Sequence, residues 1–226
     1  MEIAKLVLAY IDTLVWPVLV LVALTLYRDH FKSLVGRIKK AELPGGISIE
    51  TFPEKIEEAK DLSVQVKKET NEKRESQEKK IMQLPLTDAN MKMLNHGLSP
   101  SPSGLEISHY KALAEQDPVL ALAGLRIEVE TMLKNLAKGF EVDIGEREGT
   151  TAIARKLWEK NAITSRQAEL INSVVNLCNA AIHGVKVTRA QADEILEIAE
   201  VLRDEYISWL SWGFQESANK AMEPDA

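Results

Sequence analysis

The sequence predicts an all-α protein with three parts: an N-terminal transmembrane helix, a charged helical stalk and a C-terminal bundle of four to five helices. Three observations carry that prediction. Residues 6–27 form an almost uncharged apolar run, and residues 54–80 are dense in Glu and Lys. Beyond residue 110, apolar residues recur at three- and four-residue spacing between helix caps. Averages conceal this division: 226 residues, 45% hydrophobic, net charge −6 and mean hydropathy −0.15 would suit an ordinary soluble domain.

The run LVLAYIDTLVWPVLVLVALTLY contains one charge, Asp12. A helix of that length rises about 33 Å, enough for a hydrocarbon core of roughly 30 Å. A cleaved signal peptide fits poorly, because Glu2 stands beside Lys5 in the n-region and no small-x-small site follows. Nor does a buried soluble helix fit, since the stretch from Leu14 to Leu26 leaves no polar face. Asp12 lies close enough to one end to reach the interface, and Pro17 kinks the span without breaking it.

Arg28, Lys32, Arg37, Lys39 and Lys40 follow the span and are opposed only by Asp29 and Glu42. The positive-inside rule then puts the N-terminus outside and the C-terminal side in the cytoplasm, at the inner membrane of a bacterial-type cell. These five bases are the expected membrane-surface residues. Within 29–53, Phe31, Leu34, Val35 and Ile38 give a short amphipathic helix along the headgroups, stopped by Pro44-Gly45-Gly46. The lipid bilayer is the first expected partner.

From Glu54 to Lys80, 16 of 27 residues are charged, eight of each sign. Such density favours a helix, and the apolar positions Ile56, Ala59, Leu62 and Val66 fade early. The segment 54–83 reads as a solvated stalk. Residues 84–109, with Ser99-Pro100-Ser101-Pro102-Ser103-Gly104, read as a linker. The helical domain follows over 110–215, with a tail at 216–226.

Four helices can be placed in that domain. Asp117-Pro118 caps the first, whose stripe is Leu122, Leu125, Val129, Met132 and Leu136, ending at Gly139. The second covers about 150–160 and buries Ile153, Leu157 and Trp158. Capping boxes Thr164-Ser165-Arg166-Gln167 and Thr188-Arg189-Ala190-Gln191 open the last two. Ile171, Val174, Cys178 and Ala181 face inward on the third. Ala192, Ile195, Ala199, Leu202, Tyr206 and Trp209 do so on the fourth.

Asn172, Asn176, Asn179 and His183 recur at spacings of four, three and four, so they share one face of the third helix. Elsewhere the surface uses Glu and Lys, whereas this stripe is amide and imidazole, suited to a half-buried interface. Asn179-Ala180-Ala181-Ile182-His183-Gly184 resembles the N-x-x-x-H signature of HEPN domains, helical bundles found in RNA-cleaving toxins and defence proteins. Gly124-Leu125-Arg126-Ile127-Glu128-Val129-Glu130 and Asn161-Ala162-Ile163-Thr164 look like the corresponding parts of the DUF4145 branch.

That resemblance spans about residues 110–210 and implies a HEPN-like bundle, acting through dimerisation or a partner protein in a stress or phage-defence system. It also departs from the active family members. Their arginine stands a turn or two ahead of the His, where this chain has Asn176, Leu177 and Cys178. The expected function is therefore a non-catalytic, membrane-anchored interaction module. The alternative is a membrane-tethered, metal-independent ribonuclease using His183, Asn179 and Arg126.

Composition and charge narrow the remaining classes. One cysteine, Cys178, excludes an intramolecular disulfide and any zinc site with two thiolates. Residues 1–109 hold 15 basic and 15 acidic side chains, whereas residues 110–226 hold 13 and 19. The C-terminal domain thus carries the whole net charge, which argues against nucleic acid as a partner. There is no phosphate-binding loop, dinucleotide fingerprint or nucleophile elbow, so no cofactor is expected, and no metal.

Overall fold

The computed structural model describes residues 51–76 and 84–220, in which there are seven helices and no strand. They are α1 (Phe52–Ser76), α2 (Leu86–Asn95), α3 (Ile107–Ala114), α4 (Pro118–Gly139), α5 (Thr150–Glu159), α6 (Ser165–Ile182) and α7 (Arg189–Lys220). All belong to the unit Leu43–Ala226. The anchor (1–28), the juxtamembrane segment as far as residue 50 with Arg28, Lys32, Arg37, Lys39 and Lys40, and residues 77–83 and 221–226 lie outside the described residues. Among the described residues, no helix is long and apolar enough to cross a membrane.

Local signals set the bundle helices. Asp117 accepts from the Val119 and Leu120 amides, with Pro118 in the first turn of α4. Thr164 and Gln167 form a reciprocal capping box on α6. At α7 the Thr188 amide donates to Gln191 Oε1 at 2.9 Å, and the Gln191 amide donates to Thr188 Oγ1 at 3.3 Å. Each cap satisfies amides that the first helical turn leaves without partners, worth about 1 kcal/mol.

Helix α4 lies at the centre, touching α3, α5, α6 and α7. Leu122, Leu125, Val129, Met132 and Leu133 fill the core from it, while Leu136 is only partly buried. Two close approaches need glycine. A Cβ on Gly124 would stand 2.5 Å from the Tyr110 ring, and one on Gly139 would stand 2.3 Å from the Trp209 ring. Trp209 also packs beside Phe140 and Tyr206, with ring centroids 5.7 and 5.6 Å away.

Three expectations are corrected. Trp158 is not buried; it is 48% exposed. The inward stripe of α5 is Thr150, Ile153, Ala154 and Leu157, and the next residue lies about 100° around the helix from that face. Helix α1 is not a solvated stalk either. Phe52, Ile56, Ala59, Ser63 and Val66, at four-three-four-three spacing, are buried against α6 and α7. An apolar stripe of about one residue per turn is enough to dock a helix whose remaining faces are charged. Ser63 is accommodated because its hydroxyl donates to Lys60 O at 2.7 Å, and Arg166 of α6 pairs with Glu69 at 3.5 Å.

Nor is 84–109 a linker. It contains α2 and a strap, residues 96–105, that is stitched to α4. Glu128, fully buried, accepts from the Ser101 hydroxyl, from the Ser103 amide (3.1 Å) and hydroxyl (2.8 Å), and from the Tyr110 hydroxyl (2.9 Å). Two turns on, Asn135 accepts from the Ser99 amide at 2.8 Å and donates to Ser99 O and Tyr206 Oη, both at 2.9 Å. Four donors use the roughly four acceptor positions of a carboxylate. This is what allows a buried acid with no base hydrogen-bonded to it. Burial, then the charge of Glu128, push the Tyr110 phenol up and keep it a donor.

Removing that acceptor strands Tyr110 and both serines. Glu128→Ala is expected to cost about 3 kcal/mol, and Tyr110→Phe about half as much, since hydrogen bonds to charged groups contribute about 1.5–3 kcal/mol each. Urea unfolding of the full chain in detergent measures both, and equal midpoints for the wild type and Glu128→Ala would refute the strap.

Candidate functional site

Helix α6 turns its apolar face to the core through Ile171, Val174, Val175 and Cys178. The amide stripe lies about 120° round the helix from that face. Asn172, Asn176 and Asn179 are half-buried, and His183, which follows the last helical residue, is exposed. The His183 amide donates to Asn179 O at 2.9 Å. The stripe is therefore neither an open solvent face nor part of the core; it is flanked by neighbouring helices.

One flank is defined by Arg126. Its Nε donates to Asn179 Oδ1 at 2.6 Å, joining α4 to α6. The same guanidinium lies 3.8 Å from Glu130, which also takes Lys134 at 2.7 Å. Arg126 is thus committed to an amide and a carboxylate. Asn172 Oδ1 is buried with no hydrogen-bond partner among the described residues, an orphan acceptor of the kind that costs stability when left unpaired.

The same two helices also carry exposed apolar residues. Ile127 is 54% and Leu120 54% exposed, two turns apart on α4, and Ile182, one turn beyond Asn179, is 41% exposed. The structure therefore brings Arg126 and Asn179 into direct contact, with Asn176 and His183 on the same face of α6. No described group of three or more His, Cys, Asp and Glu residues could hold a metal ion.

Cys178 is wholly buried, and burial pushes its thiol up to about 12, against a smaller opposing pull from the Arg126 charge. A thiol so protonated is a core group and a poor nucleophile. It packs in the core on the inner side of α6.

Sequence reasoning missed Glu128, Asn135 and the strap. The signal was present: Glu128 falls one turn beyond Leu125 and beside Val129, in register with the buried stripe, and Asn135 repeats that register seven residues on. A polar residue on a core face needs partners from elsewhere in the chain. Segment 84–109, with Ser99, Ser101 and Ser103, carries such donors.

The fold and this surface define an all-helical domain with a half-buried amide face, built around one central helix. The chain belongs to the family described as Domain of unknown function (DUF4145), whose model matches residues 108–221. No curated protein and no solved structure matches it. The structure gives the family-like segment 124–130 a physical meaning. Gly124 admits Tyr110, Arg126 reaches α6, Glu128 holds the strap, and Leu125 and Val129 fill the core.

Cys178, Tyr110 and Tyr206 all have acid groups raised chiefly by burial, from ordinary values of 9.0 for the thiol and 10.0 for the phenols. The folded protein keeps protons that the unfolded chain releases, so stability is full below pH 9 and falls as pH rises through 9 and 10. Thermal unfolding between pH 8 and 11 should show that decline. Tyr206→Phe should make it shallower, and an unchanged slope in that variant would count against the assignment.

Proposed function

We propose that this protein is a HEPN-like interaction module held at the cytoplasmic face of the inner membrane by its N-terminal segment. The observation that carries the reading is the Arg126–Asn179 hydrogen bond at 2.6 Å. It orients the Arg126 side chain against α6 and joins two helices that expose Leu120 and Ile127 on one and Ile182 on the other. Exposed apolar residues bordered by half-buried amides are the composition of a protein–protein interface. A second copy of the chain or a partner protein is the occupant, and the resemblance to defence-associated HEPN domains makes the context a stress or phage response.

A ribonuclease would require an electropositive site that stabilises charge on phosphorus. The positions ahead of His183 hold Asn176, Leu177 and Cys178, Arg126 is paired, and α7 carries Asp193, Glu194, Glu197, Glu200, Asp204 and Glu205. The acid face would repel the substrate backbone.

Two experiments test the proposal. Full-length protein in nanodiscs should self-associate or retain a partner in light scattering and crosslinking, and Ile127→Asp should weaken that association at least tenfold without lowering Tm. A species that stays monomeric and partner-free, or RNA cleavage lost in His183→Ala, overturns it. For the anchor, deletion of residues 1–42 should move the chain from the carbonate-resistant membrane fraction to the supernatant. Persistence in the membrane pellet would reject a single N-terminal anchor.

A further inference from the structure

Helices α4, α6 and α7 line a cavity of about 110 Å³ that is partly open to solvent. Met132, Leu136, Ile171 and Leu202 give it aliphatic walls, and Tyr206 and Trp209 bring two aromatic side chains to it. Interiors normally fill such space with side chains, but here two of the walls are held in place. The Tyr206 hydroxyl accepts from Asn135 at 2.9 Å, and the Trp209 ring is seated where Gly139 has no Cβ to displace it. A largely pre-formed apolar space with an opening is the usual setting of a small-molecule site.

Polar groups on the lining are engaged within the protein. Gln167 Oε1 accepts from the Thr164 amide at 2.8 Å, and its Nε2 donates to Glu205 Oε2 at 3.0 Å. Glu205 also borders the groove that holds Lys67 and Arg203. A charged ligand would thus meet no free counter-ion among the described lining residues, and an apolar site without one rejects charge. The occupant is therefore neutral. An enclosed apolar cavity of about 150 Å³ takes benzene, so this smaller, open one seats a single ring with its substituent toward solvent. Tyr206 and Trp209, whose ring centroids are 5.6 Å apart, and the Met132 thioether favour an aromatic ring over a saturated one, through ring–ring and sulfur–ring contacts.

We propose that this cavity is a binding site for a neutral, single-ring aromatic molecule. The ring enters between Leu136, Ile171 and the aromatic pair, and a polar substituent stays at the opening. None of the residues of the interaction surface lines the cavity, so the two readings are tested separately.

Benzyl alcohol is the probe, titrated calorimetrically into the full chain in nanodiscs, with empty nanodiscs subtracted to remove partition into lipid. It should bind saturably. Its saturated counterpart, cyclohexylmethanol, should bind roughly threefold or more weakly, and benzylamine and benzoate roughly tenfold or more weakly. Leu136→Trp and Ala162→Phe add bulk to different walls, and each should abolish benzyl alcohol binding while Tm shows that the variant is folded. Absence of saturable benzyl alcohol binding overturns the site, as does undiminished binding in either folded variant. Equal or tighter binding of cyclohexylmethanol, benzylamine or benzoate overturns the ligand class.

Discussion

A carboxylate without a cation is the constraint on which this bundle depends. Glu128 sits inside the protein and is paid for by four hydrogen bonds, three from the strap and one from Tyr110. An acid buried this deeply tolerates no missing donor. The strap must therefore run along α4 in one register, and Asn135 fixes the other end of it through Ser99. The Leu105 amide closes the arrangement by donating to Ser101 Oγ at 2.6 Å. Leu105 itself is at φ 66°, a left-handed conformation held where the strap turns into α3.

Fixing the strap fixes the rotation of α4, and that rotation distributes its other faces. With Glu128 and Asn135 toward the strap, the helical period turns Leu125, Val129 and Met132 into the core. Arg126, about 100° further round, meets Asn179. Ile127 and Leu120 then face outward. A single buried acid thus decides which residues of one helix are core, which are coupled to α6 and which remain for a partner. The family-matched span begins at residue 108, but Ser101, Ser103 and α1 precede it. The cooperative unit is therefore larger than the matched segment.

What was legible in the sequence was local. Caps at Asp117, Thr164 and Thr188 depend on neighbours three residues away, so helices α4, α6 and α7 could be placed from composition and spacing alone. The buried stripe of α7 was read correctly but too narrowly: Leu196, Ile198 and Val201 are buried as well, because α1 covers a second side of that helix. The α1 stripe was discounted because charges surround it and its apolar positions fade beyond Val66, although burial requires only one face. Serine and proline in 99–103 looked like linker chemistry because their partners, Glu128 and Asn135, are 25 or more residues away. The amide stripe was legible as a face, but its coupling to Arg126 depends on how two helices rotate against each other.

The strap shares a wall with a cavity of about 110 Å³ between α4, α6 and α7. Tyr206 accepts the Asn135 amide through its hydroxyl, and its ring lines the cavity. Trp209 lies one turn on, held over Gly139 where no Cβ intervenes. Lys92 of α2 then donates to Leu210 O and Ser211 O at 2.9 and 3.1 Å, tying α2 to the same stretch of α7. This part of α7 is therefore clamped from both ends of the strap, through Asn135 on one side and α2 on the other. The Tyr206 ring cannot turn into the cavity without breaking its buried hydrogen bond to Asn135. The polar network that positions α4 also keeps the apolar space beside it open.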